Sequence, residues 1–127
     1  MLRKGILNPQ ILSLLARVRH TNTLVIADRG FPFWPQIETI DIALIDDKPS
    51  VLDVLEALAP SFQIGHAWMA TEFRGNNEPA LLARFQALLP AITFEPHVDF
   101  KRRVPHAIGL VRTGGTAPYS NLIIESS

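Results

Sequence analysis

Apolar positions recur along the chain at two spacings, and the switches between them set the expected order of elements. Ile11, Leu12, Leu14, Leu15 and Val18 fall on one side of a helix that Asn8 is placed to cap and Pro9 fits in its first turn. His20-Thr21-Asn22 leads into Thr23-Leu24-Val25-Ile26-Ala27, an unbroken apolar and β-branched run expected of a buried strand. The loop Asp28-Arg29-Gly30-Phe31-Pro32 ends it. Residues 37–44 alternate in part and are expected to hold a second strand. Pro49-Ser50 opens another helix: Ser50 with Asp53 fits a capping box, and Val51, Leu52, Val54, Leu55 and Leu58 form its apolar face. Phe62, Ile64, His66 and Trp68 alternate with Gln63, Gly65 and Ala67 at the period of a strand. Glu78 to Leu89 has helical spacing, with Leu81, Leu82, Phe85, Leu88 and Leu89 on one side and Pro90 as the stop. A short strand at residues 91–94 precedes Glu95-Pro96-His97, and residues 99–104 suit one or two further helical turns. Residues 107–111 and 119–124 are expected as closing strands, joined by the turn Thr113-Gly114-Gly115-Thr116-Ala117-Pro118.

Helices and strands alternating through 127 residues point to one α/β domain, residues 1–127, layered about a central sheet. The turn between the last two strands is too short for a helical crossover, so the sheet is expected to be mixed. Tyr119 and Asn121, two apart on the last strand, are expected to face the same way.

At 47% hydrophobic and 19% charged residues the chain can fill a core, and disorder is excluded as a description of the whole. Lys plus Arg and Asp plus Glu are both 12, which argues against nucleic acid as the main partner and makes self-association cheap. With no cysteine, disulfides, thiolate zinc sites and Cys nucleophiles are out, and a cytoplasmic setting is the simple expectation. No apolar run is long enough for a membrane span. The first acidic residue is Asp28, as in a transit peptide, but the capped apolar stripe assigns that region to a folded domain.

Candidate chemistry collects where elements end. Gly114-Gly115 lies between strands with no helix after it, so no phosphate cradle is present. Four histidines allow metal ligation on paper, but none pairs with another at helical ligand spacing. His20 follows the last turn of the first helix, and Asp28 sits at the carboxyl end of a buried strand, the usual edge for ligands in α/β sheets. Each also has an ordinary use: His20 and His97 as solvated histidines, Asp28 as a turn residue, Tyr119 as an aromatic at the core edge. Lys101-Arg102-Arg103 has an ordinary use too, as a charged solvent face.

The order of these residues resembles a known family. His20-Thr-Asn-Thr-Leu-Val-Ile-Ala-Asp28-Arg-Gly-Phe-Pro32 looks like the signature of the ribose pyranase and fucose mutarotase family. Ile40–Leu44 with Pro49-Ser50, His97-Val98-Asp99-Phe100-Lys101, and Arg112-Thr113-Gly114 with Pro118-Tyr119-Ser120-Asn121 continue it in order, and Glu72 with Asn77 fits its middle. The resemblance implies a three-layer α/β/α domain with a mixed, mostly parallel sheet. It implies ring-shaped homo-oligomers, commonly decamers of stacked pentamers, and a possible functional link to a sugar transporter. It implies a cofactor-free, metal-free isomerase that opens and closes a monosaccharide ring by general acid–base catalysis. His20 would transfer the proton, with Asp28, His97, Tyr119 and Asn121 binding the sugar and Lys101 a further contact. His97 stands where the fucose branch tends to have Arg, which tilts the expected substrate toward D-ribose over an L-fucose-type sugar.

Arg19, Asn22, Arg29 and Gly115 depart from the pattern, where Gly, Asp, a small residue and Glu are usual. A catalytically idle sugar-binding protein therefore stands as an alternative from another class, and a metal-dependent hydrolase using His20, Asp28 and His97 as a third. Phe31, Phe33 and Trp34 are expected as exposed aromatics available to a ring face or to a second subunit.

Overall fold

A computed structural model describes residues 1–127. Its elements run α1 (Pro9–Arg17), β1 (Thr23–Ala27), β2 (Glu38–Asp41), α2 (Val51–Leu58), β3 (Ile64–Ala70) and α3 (Glu72–Asn76). They continue with α4 (Pro79–Gln86), β4 (Ile92–Glu95), α5 (His97–Arg103), a 3-10 turn at Val104–His106, β5 (Gly109–Arg112) and β6 (Leu122–Ser126). Local chemistry accounts for the starts. The Asn8 side chain accepts the Ile11 N–H at 2.9 Å. Ser50 and Asp53 close a reciprocal capping box at 3.0 and 2.9 Å.

The six strands form one sheet in the order β2-β5-β1-β6-β3-β4. Every adjacent pair is parallel except the two made by β6, which runs antiparallel to both β1 and β3. Helices cover both faces, giving the α/β/α layering. Along β1 the buried side chains alternate: Leu24 and Ile26 enter the larger core with Leu14, Leu55, Phe73 and Phe85 from α1 to α4. Val25 and Ala27 enter the smaller one with Phe31, Phe100 and Val104. Burial on both faces is why β1 reads as a continuous apolar run.

Several expectations need correcting. The last two strands do not pair with each other, because β1 lies between them. The end of β1 captures the connecting segment: Ala27 O accepts from both the Thr113 N–H and its hydroxyl, at 2.9 and 2.8 Å. Gly114, pinned at its N–H by Pro49 O and at its carbonyl by the Asp47 N–H, lies so close to the Ile45 backbone that a Cβ there would collide. Tyr119 is not in a strand, and has a left-handed φ of 56°. Phe31 is buried against Trp34 and Phe100, leaving only Phe33 of the three aromatics fully exposed. The helix expected to Leu89 stops at Gln86, α5 starts two residues earlier than expected, and α3 was not expected at all.

Candidate functional site

The parallel strands bring their carboxyl ends to one edge of the sheet, and antiparallel β6 brings its amino end to the same edge. Three of the sequence-derived residues meet there by topology alone: Asp28 just after β1, His97 just after β4 and Asn121 just before β6. Asn121 is 3% exposed and its Oδ1 accepts the Asp28 backbone N–H at 2.7 Å. One Asp28 carboxylate oxygen accepts the Gly30 N–H at 3.0 Å, which bends the chain back toward Phe31. Burial pushes the Asp28 carboxyl above the ordinary carboxylate range, opposed by these N–H donors, by Asn121 and by His97.

The His97 ring is the centre of an aromatic cluster. It stacks on Phe100 at 6.0 Å between centroids and meets Phe31 and Tyr119 edge-on at 6.1 and 5.2 Å. Nδ1 is buried with no hydrogen-bond partner, so Nε2 is the nitrogen presented outward. Burial holds the imidazole below its ordinary value, helped by Lys101 one helical turn on and opposed by Glu72 and Asp28. Near neutral pH the ring is accordingly neutral. Lys101 faces the same side of α5 as His97.

Behind this front stand residues whose part is not visible in the sequence. Glu72 accepts the His97 backbone N–H with both oxygens at 3.1 Å. Asn77 donates to Phe73 O and to Pro118 O at 2.9 and 2.8 Å. Arg112 grips the carbonyl of Arg29 at 2.9 Å and the Asp41 carboxylate at 2.9 Å, fixing the loop after Asp28. The signal for Glu72, Asn77 and Arg112 in the sequence is their place in the family pattern; the facing of Arg112 and Asp41 as opposite charges on β5 and β2 comes from the strand register.

Two of the departures from the family pattern are accommodated locally. Arg29 reaches away to Asp46 at 2.7 Å, and its backbone N–H donates to Gly115 O at 3.1 Å. The Arg29 side chain is thus held on Asp46, and Gly115 has no side chain to intrude.

His20 is elsewhere. It is exposed and precedes β1, at the sheet edge where Thr21 pairs with Ser126 at the end of β6. Five strand residues separate it from Asp28, on the order of 16 Å at about 3.3 Å per residue. Within one chain the structure therefore gathers Asp28, His97, Tyr119 and Asn121, with Lys101 beside them, and leaves His20 apart. Two recesses adjoin the cluster. A recess of about 140 Å³ touches Ser120 and Gly115, and one of about 320 Å³ touches Phe31, Thr39 and Arg112. The cluster itself forms a shelf, with Tyr119 exposed, Asp28, His97 and Lys101 half-buried and Asn121 buried at its base. No group of three or more His, Asp or Glu side chains is arranged to hold a metal ion, and no helix is long and apolar enough to cross a membrane.

Residues 1–127 match the family model described as the RbsD / FucU transport protein family. D-ribose pyranases of Bacillus cereus and Bacillus mycoides are 37% and 36% identical to the chain over 127 residues, covering 99% of it and 97% of each relative. The structure of Bacillus subtilis RbsD complexed with D-ribose superposes with a TM-score of 0.93 at 29% identity, covering 100% of this chain and 98% of that one. The fucose mutarotase of Streptococcus pneumoniae in complex with L-fucose gives 0.83 at 19% identity, with 100% and 98% covered, a likeness of fold.

Proposed function

Because the chain belongs to the RbsD / FucU transport protein family, we propose that it is a cofactor-free sugar mutarotase of the pyranase type, acting on D-ribose. One observation carries this: Asp28, His97, Tyr119 and Asn121 share a shelf in a chain that superposes closely on one solved with D-ribose.

A cyclic sugar is a hemiacetal. Opening its ring takes a proton from the anomeric hydroxyl and gives one to the ring oxygen; closing through another hydroxyl, or on the other face, reverses this. No electron or group transfer occurs, so no cofactor is called for. The shelf suits a neutral polyol. A neutral His97 offers Nε2, the Tyr119 hydroxyl both donates and accepts, and the Asp28 carboxyl accepts from sugar hydroxyls. The Asn121 Oδ1 accepts from the Asp28 backbone and its side chain also bonds the Asp28 carboxyl, so a sugar hydroxyl would share its NH₂ with Asp28. Lys101 adds a cationic donor at the margin.

His20 is the proton-transfer residue, with an imidazole suited to giving or taking a proton near neutrality. It reaches the shelf from a second chain. The exposed apolar side chains Phe33, Leu44, Ile45 and Tyr119, on loops, and Val98, in the first turn of α5, lie at the edge of the sheet that carries the shelf, where a neighbour's α1–β1 loop would cover them. Such a contact joins unlike surfaces and closes into rings. We take the assembly to be a pentamer-based decamer, in the cytoplasm, serving a sugar transporter; these finer points rest on the family alone.

Exchange NMR with D-ribose and L-fucose side by side tests the proposal. Pyranose and furanose signals of ribose should exchange faster with protein than without. Faster exchange of fucose alone would move the assignment to the fucose branch, and binding without exchange of either sugar would leave an idle binding protein.

A further inference from the structure

Two of the shelf's rings are held from behind by one five-residue helix. His97 is the first residue of α5, where a backbone N–H has no partner inside its own helix. The Glu72 carboxylate takes that N–H with both oxygens at 3.1 Å, and Glu72 opens α3. At the other end of α3, Asn77 spends its two N–H donors on two carbonyls: Phe73 O at 2.9 Å within its own turn, and Pro118 O at 2.8 Å across the shelf. Pro118 immediately precedes Tyr119, whose φ of 56° is one a tyrosine keeps only when its surroundings hold it there. The helix itself is anchored by Phe73, fully buried and edge-on to Phe85 at 5.5 Å.

We infer that Glu72 and Asn77 are positioning residues for the sugar shelf, Glu72 holding His97 and Asn77 holding Tyr119, so that α3 sets the gap between the two rings. This rests on the mutarotase proposal for its substrate, though not for its geometry. Neither residue reaches the reacting atoms; each acts through the backbone of a residue that faces the sugar. The effect falls on how well the sugar is held, and proton transfer by His20 is untouched. The charged and titratable groups around His97 are Glu72 from α3, Asp28 from the loop after β1, Lys101 from its own helix and Tyr119.

Tyr119 is the only tyrosine in the chain, so 3-fluorotyrosine labelling places one fluorine signal on the shelf without assignment. The test compares wild type with Glu72→Asp, Glu72→Gln and Asn77→Asp, reading the fluorine shift of the free protein and the KM and kcat of ribose exchange. Glu72→Asp keeps the charge and loses the reach, whereas Glu72→Gln keeps the reach and one acceptor oxygen. The expected result is a displaced fluorine signal and a KM raised about tenfold in Glu72→Asp and Asn77→Asp, with kcat little changed. Glu72→Gln should stay close to wild type. Unchanged KM and fluorine shift in Glu72→Asp and Asn77→Asp would overturn the inference, as would equal KM rises in Glu72→Asp and Glu72→Gln. If wild type exchanges no sugar, the mutarotase proposal falls instead, and the fluorine shifts of the free variants still decide the positioning.

Discussion

Asp28 and His97 show what it costs to build a polar shelf on the end of a hydrophobic sheet. Burial raises the carboxyl and lowers the imidazole, so the fold disfavours the charged form of each. For Asp28 the folded state holds its proton above the unfolded value near 3.9, so its contribution to stability falls as pH rises through that window. Asp28→Asn should therefore raise the thermal midpoint at pH 7 while slowing ribose exchange; calorimetry and exchange NMR on the same sample check both signs. For His97 the folded state holds fewer protons than the unfolded one just below pH 6.5. Stability from this group is present at neutral pH and declines as pH falls from about 6.5 toward its lowered value. Denaturant titrations between pH 7 and 5 should show a shallower decline in His97→Asn than in wild type.

At the scale of elements, legibility followed how local the cause was. β1 is as long as its apolar run, and α2 begins where Ser50 and Asp53 form their box, because both are decided within a few residues. Ser50→Ala should lower stability by about 1 kcal/mol with little change in ribose KM, since the Ser50 hydroxyl serves the Asp53 N–H; urea unfolding beside exchange kinetics would show it. α3 was hidden because five residues carry no period, and its stability comes from burying Phe73 against Phe85 of α4. The Tyr119–Asn121 segment misled for a related reason. Its alternation mimics a strand, yet Thr113 is drawn onto the end of β1 and Pro118 onto Asn77, which turns Tyr119 left-handed. Asp28 and His97 were foreseeable as strand-end residues, whereas the hold of Glu72 on His97 joins residues 25 apart and left no trace in spacing.

For the whole molecule, the separation of His20 from Asp28 makes a sharp prediction. If His20 transfers the proton as proposed, His20→Ala and Asp28→Asn should each lose most of the exchange activity, by roughly 10²–10⁴-fold for His20→Ala. If the site is shared between chains, dissociating and mixing the two inactive variants should restore it. Random reassembly leaves about a quarter of shared sites with both residues intact, and the regained rate should match. No recovery on mixing would place His20 and Asp28 of one chain in the same site.

The only antiparallel strand is also the last element, and it lies in the middle of the sheet. Take β6 away and the sheet parts into β2-β5-β1 and β3-β4, two pieces with no ladder between them. A chain growing from the ribosome thus has all its helices and five of its strands before any sheet can close. The inner edges of both pieces wait unpaired, a template for another chain to add to. Folding of the whole sheet accordingly waits for β6. A version ending at Asn121 should show no cooperative unfolding and should precipitate, which thermal unfolding and sedimentation would check.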